Sequence, residues 1–159
     1  MGRALLIAAI AIGAGFLALW LTISPLRTGA VAGQGYVSAN FGGVPLRIQL
    51  ALTEVQREKG LGGRTSVPKN SGMLFVFPQD GEYGFWMKDT LVPLDIFWLN
   101  DAGKVVYMVE NVATSTYPGA FYPSVPARYV LETAAGFGQQ HGIATGTALL
   151  LKKFPTTAR

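Results

Sequence analysis

Residues 84–95 read GFWMKDTLVPLD and place charged side chains among large apolar ones. Two aromatic residues and a methionine precede Lys88, Asp89 and Thr90, and a short apolar step then leads to Asp95. Charged groups in such surroundings are costly to bury unless they pair or form hydrogen bonds. The segment is therefore either a polar cluster that holds a core together or the floor of a binding site, and the sequence favours the polar cluster.

A series of short predicted strands surrounds this segment. Residues 44–52 alternate between apolar and polar side chains, as a half-buried strand does. The sequence Asn100-Asp101-Ala102-Gly103 between two apolar runs indicates a β-hairpin turn. Predicted strands cover residues 44–52, 73–77, 83–87, 94–99, 104–109, 128–132 and 148–151.

Two short helices accompany the strands. Thr53 and Gln56 have the spacing of a capping box, which predicts a helix that reaches Lys59. A second helix is predicted over residues 134–141, where His141, the single histidine, is expected to cap backbone carbonyls. The pattern predicts a mainly β fold: a compact antiparallel β-sandwich or small barrel with two short helices, preceded by an N-terminal hydrophobic helix.

The N-terminal helix is predicted from residues 4–23, which carry no charge. A helix of that length reaches about 30 Å, the thickness of a bilayer core. Because Ala30-Val31-Ala32 resembles a cleavage site, a cleaved signal peptide competes with an uncleaved signal anchor. The remaining chain is expected at the extracytoplasmic face of the inner membrane, or secreted or periplasmic after cleavage.

These features divide the chain into four predicted parts. They are a signal anchor or signal peptide at 1–27, a linker at 28–36, the β domain at 37–153 and a tail at 154–159. The predicted linker is rich in Gly, Ala and Thr, a composition that favours a flexible connection.

Composition excludes several classes of function. The net charge of +4 includes Arg3 and Arg27 near the membrane segment and three basic groups at the tail, so no basic stripe remains for nucleic acid. The absence of cysteine excludes a thiol nucleophile, and a single histidine excludes a histidine-rich zinc or copper centre. No phosphate loop, dinucleotide fingerprint or serine-nucleophile motif is present. We therefore predict no cofactor, no metal site and no catalytic residue.

Several sequence blocks occur in an order that is typical of one family. The blocks are residues 57–61, 72–77 (GMLFVF), 85–90 (FWMKDT), 93–95 (PLD) and 130–132 (VLE), followed by Gly136. On these blocks the sequence from 44 to 151 resembles the domain of unknown function 192 family. The resemblance implies a compact β-sandwich, often behind a signal or anchor segment, with no established activity.

Three positions depart from the family's usual pattern. Gly62 replaces a methionine, Asp89 replaces an asparagine, and Gly146-Thr147 replaces Gly-Asp. Gly62 either empties part of a pocket or loosens a loop. Asp89 adds a negative charge beside Lys88.

Six residues are candidates for ligand binding, each with a competing structural interpretation. They are Arg57, Arg64, Trp86, Lys88, Asp95 and Glu132. Lys88 suits an anionic ligand, or it pairs with Asp95 or Asp89. Asp95 is an acceptor or base in a site, or it ties down a turn before a buried strand.

The other candidates have the same two interpretations. Arg57 and Arg64 suit carboxylate, phosphate or sugar hydroxyl groups. They equally suit the backbone carbonyls of the loop that they flank, which contains Gly60, Gly62 and Gly63 and is called the glycine loop below. Trp86 is either a stacking platform for a ligand or part of the core. Glu132, on an apolar strand, is a natural partner for either arginine.

The leading hypothesis is a non-enzymatic binding module for a small polar ligand or a cell-envelope partner, tethered to the membrane by the N-terminal helix. One alternative is a glycan-acting or other hydrolytic enzyme that uses Asp95 and Glu132. The distance between these two carboxyl groups would decide whether they can act as a catalytic pair. Another is a structural protein-interaction module that uses the aromatic loop at 117–122. Enzyme activity stays open, although no complete catalytic constellation is present.

Overall fold

The computed structural model describes residues 35–156, which form a seven-stranded sheet, a two-stranded sheet and two short helices. The helices are α1 (Glu54–Lys59) and α2 (Phe137–His141). The strands are β1 (Val37–Phe41), β2 (Val44–Ala51), β3 (Ser71–Gly81), β4 (Phe85–Trp86), β5 (Leu94–Leu99), β6 (Val105–Val112), β7 (Ala120–Phe121), β8 (Ala127–Ala134) and β9 (Leu149–Leu151). The predicted mainly β fold with two short helices is confirmed.

The large sheet curls into a half-barrel. Its strand order is β6-β5-β8-β3-β2-β1-β9, and β4 pairs with β7 in the small sheet. The two edges of the large sheet meet at a bridge between Lys104 and Ala148. Beside that bridge, the Val105 N–H donates to the Thr147 carbonyl at 2.9 Å. The curled sheet is closer to the predicted small barrel than to a sandwich of two sheets.

One strand pair departs from the predicted antiparallel arrangement. β2 and β3 are parallel, with Gln49 opposite Met73. Parallel neighbours need a crossover connection, and residues 52–70 supply one that contains α1. The crossover places α1 and the glycine loop after it against one face of the sheet.

The two faces of the curled sheet carry separate cores. The inner face, which both sheet edges share, includes Phe41, Leu74, Phe97 and Leu131. On the outer face, the side chains at the alternate strand positions pack under α1 and the loops, together with Phe85 of β4; they include Ala51, Met73, Ile96, Trp98 and Val130. Because successive strand residues point to opposite faces, the register decides which candidate side chains meet.

The predicted N-terminal helix and most of the predicted linker lie outside the described residues. Within residues 35–156, no helix has both the length and the apolar composition needed to cross a membrane.

Candidate functional site

Helix α1 forms one wall of a cleft on the outer face. The Thr53 hydroxyl accepts the Gln56 N–H, and the Gln56 side chain accepts two backbone N–H groups at the start of the helix. Gly60 ends the helix with φ 47°, a conformation that glycine adopts at little steric cost. The predicted capping box is therefore confirmed, and the helix it starts holds Arg57 and Glu58 on the cleft wall.

Strand β4 forms the opposite wall. Successive residues of a strand point in opposite directions, so Phe85 is buried in the outer-face core while Trp86 remains 52% exposed. The Trp86 ring meets the Tyr117 ring edge-on with their centroids 6.3 Å apart. Trp86 is thus an exposed aromatic wall of the cleft rather than a core residue.

A tight turn follows β4 and presents Lys88. The Thr90 N–H donates to the Met87 carbonyl at 3.1 Å, and Asp89 has φ 55°. Asparagine and aspartate tolerate this left-handed conformation better than most residues do. Aspartate in place of the family's usual asparagine therefore preserves the turn, which leaves Lys88 exposed beside the cleft.

The cleft has a volume of about 420 Å³ and an aromatic lining. Phe75, Phe77 and Phe85 form its apolar surface, with Glu58 and Trp86 on its two sides. This volume lies within the range of small-molecule sites, about 300–1,000 Å³.

A smaller inner pocket of about 30 Å³ adjoins the cleft and reaches the sheet. Both cavities are lined by Arg57, Glu58, Phe75, Phe85 and Trp86. The inner pocket is lined in addition by Lys59, Gly60, Leu61, Gly62, Lys88, Thr90 and Glu132. The cleft, with its aromatic walls, is thus continued at the sheet by a pocket that has polar and charged lining residues.

Glu132 is the buried polar group of the inner pocket. Its side chain is 5% exposed, between Met73 of β3 and Ile96 of β5. Burial raises the pKa of the Glu132 carboxyl from 4.5 to about 8, and the Arg64 cation offsets part of the rise. The carboxyl is therefore mainly protonated at neutral pH, and it can donate as well as accept a hydrogen bond.

The two arginines have structural contacts as well as positions near the site. Arg57 Nη1 donates to the carbonyls of Leu52 and Val76 at 2.9 and 3.0 Å, so this side chain clamps α1 to β3. Arg64 donates to the side-chain oxygen of Gln49. Arg57 lines both cavities, whereas Arg64 acts on Glu132 through its charge.

Asp95 lies apart from these residues. It is fully buried on the inner face, and its carboxylate accepts three backbone N–H groups. The donors are Asn111 at 2.7 Å, Gly136 at 3.1 Å and Gly138 at 2.8 Å. Asp95 thereby fixes a bulge in β6 and the start of α2. The role is structural, as the sequence favoured, but Asp95 lies within β5 and binds distant amides rather than a local turn before the strand.

The position of Asp95 corrects two hypotheses that relied on it. Ile96, not Asp95, lies beside Glu132 in the ladder between β5 and β8. The Asp95 and Glu132 side chains therefore point to opposite faces of the sheet, and they do not form the pair that a two-carboxylate hydrolase needs. For the same reason Asp95 does not pair with Lys88 at the cleft.

The structure brings together four of the six candidates along the two cavities. These are Arg57, Trp86, Lys88 and Glu132, with Arg64 close enough to influence Glu132. Sequence reasoning missed the stacked pair Phe77 and Tyr83, whose ring centroids are 3.6 Å apart. No predicted element joined these two residues, because β3 extends to Gly81, beyond the strand predicted at 73–77.

Within the described part of the chain, no group of three or more histidine, cysteine or acidic side chains lies close enough to hold a metal ion.

Comparisons with known proteins agree with this fold. The profile of the domain of unknown function 192 family, described as "Uncharacterized ACR", matches residues 37–151. A crystal structure of a candidate transcription regulator from Sinorhizobium meliloti 1021 is 27% identical, with TM-score 0.70, over 74% of this chain and 95% of that one. A protein of unknown function from Novosphingobium aromaticivorans is also 27% identical, with TM-score 0.69, over 76% and 89% of the two chains. No curated protein matches the sequence significantly.

Proposed function

The chain belongs to the domain of unknown function 192 family, and on that premise we propose that it is a membrane-anchored, extracytoplasmic module that binds a small polar ligand. The observation that carries the proposal is the aromatic cleft of about 420 Å³ with a polar pocket at its inner end. Small-molecule sites share this design, because apolar walls supply affinity and a few polar groups fix orientation.

The proposed location rests on the N-terminal sequence. Residues 4–23 are uncharged and long enough to cross a bilayer as a helix. We expect the mature protein either to keep this segment as an anchor or to lose it by cleavage after residue 32. Fractionation of cells and N-terminal sequencing of the mature protein would test this, and a full-length protein in the cytoplasm would contradict it.

Ligand binding is best tested with the full chain in detergent. Saturation-transfer NMR against neutral sugars, sugar acids, aromatic acids and amines should find at least one class that binds. Trp86→Ala should abolish that binding, because the ring forms one wall of the cleft. Tyr36→Ala is the matched control, since Tyr36 is an exposed aromatic residue that packs on Arg47. Equal binding by the two variants would contradict the proposal.

A protein-interaction module is a second candidate function. Tyr117 and Tyr122 are exposed, and aromatic side chains are enriched at protein interfaces. The Tyr117 ring meets Trp86 edge-on, and the Tyr122 ring lies against Gly84. Crosslinking in a cell-envelope extract would separate the two functions. Loss of a crosslinked partner in Tyr122→Ala, with ligand binding in the cleft unchanged, would favour the interaction module.

A further inference from the structure

We infer that the ligand is a ring-bearing carboxylic acid whose carboxylate enters the inner pocket against Glu132 while its ring lies along Trp86 in the cleft. This inference rests on the proposed function and adds the chemical class of the ligand. It is carried by the size of the inner pocket, the charges around it and the protonation of its buried carboxyl.

The size of the inner pocket limits what enters it. A water molecule needs about 10–15 Å³ of accessible cavity, so a pocket of about 30 Å³ holds roughly two oxygen-sized atoms. A carboxylate presents two oxygens on one carbon, whereas a sugar ring or a phenyl ring is too large. A ring therefore stays in the adjoining cleft, where Phe85 and Trp86 offer aromatic surface.

The charges around the inner pocket favour an anion. Helix α1 contributes Arg57 and Lys59 as cations and Glu58 as an exposed carboxylate, and the loop after the helix contributes Arg64. The turn after β4 contributes Lys88, followed by the exposed Asp89. Beside Glu132, strands β3 and β5 contribute the uncharged Met73 and Ile96. Three cations thus line the pocket with one exposed carboxylate, an imbalance that repels an amine and attracts a carboxylate.

Glu132 supplies the hydrogen bond that distinguishes this pocket from a simple cationic site. Burial raises the pKa of its carboxyl to about 8, so at neutral pH its O–H can donate to a ligand oxygen. An O–H donor to a carboxylate forms a short, charge-assisted hydrogen bond, roughly twice as strong as a neutral one. Lys88, at the mouth of the same pocket, then neutralises the bound charge.

The ligand class predicts a specific dependence on pH. In the free protein Glu132 is almost fully protonated at pH 6 and about one-tenth protonated at pH 9, given a pKa of about 8. Apparent affinity falls with the fraction of the competent form, so a carboxylate should bind about tenfold more weakly at pH 9. Ionised Glu132 would also repel the bound carboxylate, which adds to the loss.

The test uses the full chain in detergent and five probes: benzoate, glucuronate, benzamide, methyl glucoside and benzylamine. Dissociation constants are measured by NMR titration at pH 6 and pH 9. Benzoate and glucuronate represent the aromatic and sugar sources of the same chemistry. At pH 6 we expect at least one of them to bind at least tenfold more tightly than its neutral counterpart. At pH 9 the affinity of that acid should be about tenfold lower than at pH 6.

Two variants connect this behaviour to the pocket. Glu132→Gln keeps an N–H donor and removes the titrating group, so it should still bind the acid and show no loss at pH 9. Lys88→Ala should weaken the binding of the acid and leave the affinity for the neutral probes unchanged. Lys69→Ala is the matched control, because Lys69 is an exposed lysine that does not line either cavity.

The outcomes separate this inference from the proposed function. Preferential binding of benzylamine, or an acid affinity that falls equally in Glu132→Gln, overturns the carboxylate assignment. Binding of the neutral probes alone also overturns it, while the proposed function of the cleft stands. Absence of binding by all five probes overturns both.

Discussion

Replacing Glu132 with glutamine should change how the stability of the protein depends on pH. The native state holds the Glu132 proton far more tightly than an unfolded chain does, because burial raises the pKa of this carboxyl from 4.5 to about 8. Between these two values the native state binds more protons than the unfolded state. Stability conferred by the protonated group is therefore complete below pH 4.5 and is lost as the pH rises toward 8.

The size of the effect follows from the shift. Each pKa unit corresponds to about 1.4 kcal/mol, so the full change is about 5 kcal/mol, of which about 4 kcal/mol falls between pH 5 and pH 9. Glutamine occupies nearly the same volume and does not titrate. The variant should therefore resemble the wild type at pH 5 and exceed it in free energy of unfolding by several kcal/mol at pH 9.

Urea unfolding followed by tryptophan fluorescence would measure this at pH 5, 7 and 9. The difference between wild type and variant isolates Glu132, because the other titrating groups are common to both. Glu82→Gln is the matched control, since Glu82 is exposed and the same chemical change there should leave the pH profile unchanged. Parallel profiles for wild type and Glu132→Gln would refute the reasoning.

Three further changes test the scaffold. Asp95→Ala removes the acceptor of three backbone N–H groups and should lower the free energy of unfolding by about 3 kcal/mol, measured with urea; an unchanged value would contradict the structural role. Gly72→Ala would drive a methyl group into the backbone oxygen of the neighbouring strand and should cost more than about 2 kcal/mol, whereas Gly35→Ala, which meets no atom, should cost little. Trp86→Ala removes a side chain that is 52% exposed and should change stability by less than about 1 kcal/mol, so a larger thermal shift would show a core role.

Features that depend on neighbouring residues were predictable from the sequence. The capping box of α1 and the turn at 100–103 are local arrangements, and both are present. The strand at 94–99 was predicted with its observed bounds, because a buried strand is an apolar run between turn residues.

Other features needed contacts between distant segments. Strand β1 was not predicted, although Gly42-Gly43 has the positive φ values of a tight hairpin turn and was an available signal. The parallel pairing of β2 with β3 was missed because a crossover depends on the path of residues 52–70 and not on the strands themselves.

The sequence by itself determined the mainly β class, the family and the set of polar residues that are candidates for a binding site. Only the tertiary structure decided which of them belong together. Asp95 and Glu132 look alike in sequence, each a single carboxyl in an apolar strand. Because of the strand register, the Asp95 side chain lies on the inner face, where it accepts three backbone N–H groups. The Glu132 side chain lies on the opposite face, where it lines the small pocket that adjoins the cleft. A single-residue step along a strand reverses the face, and that step is fixed by pairing with distant strands.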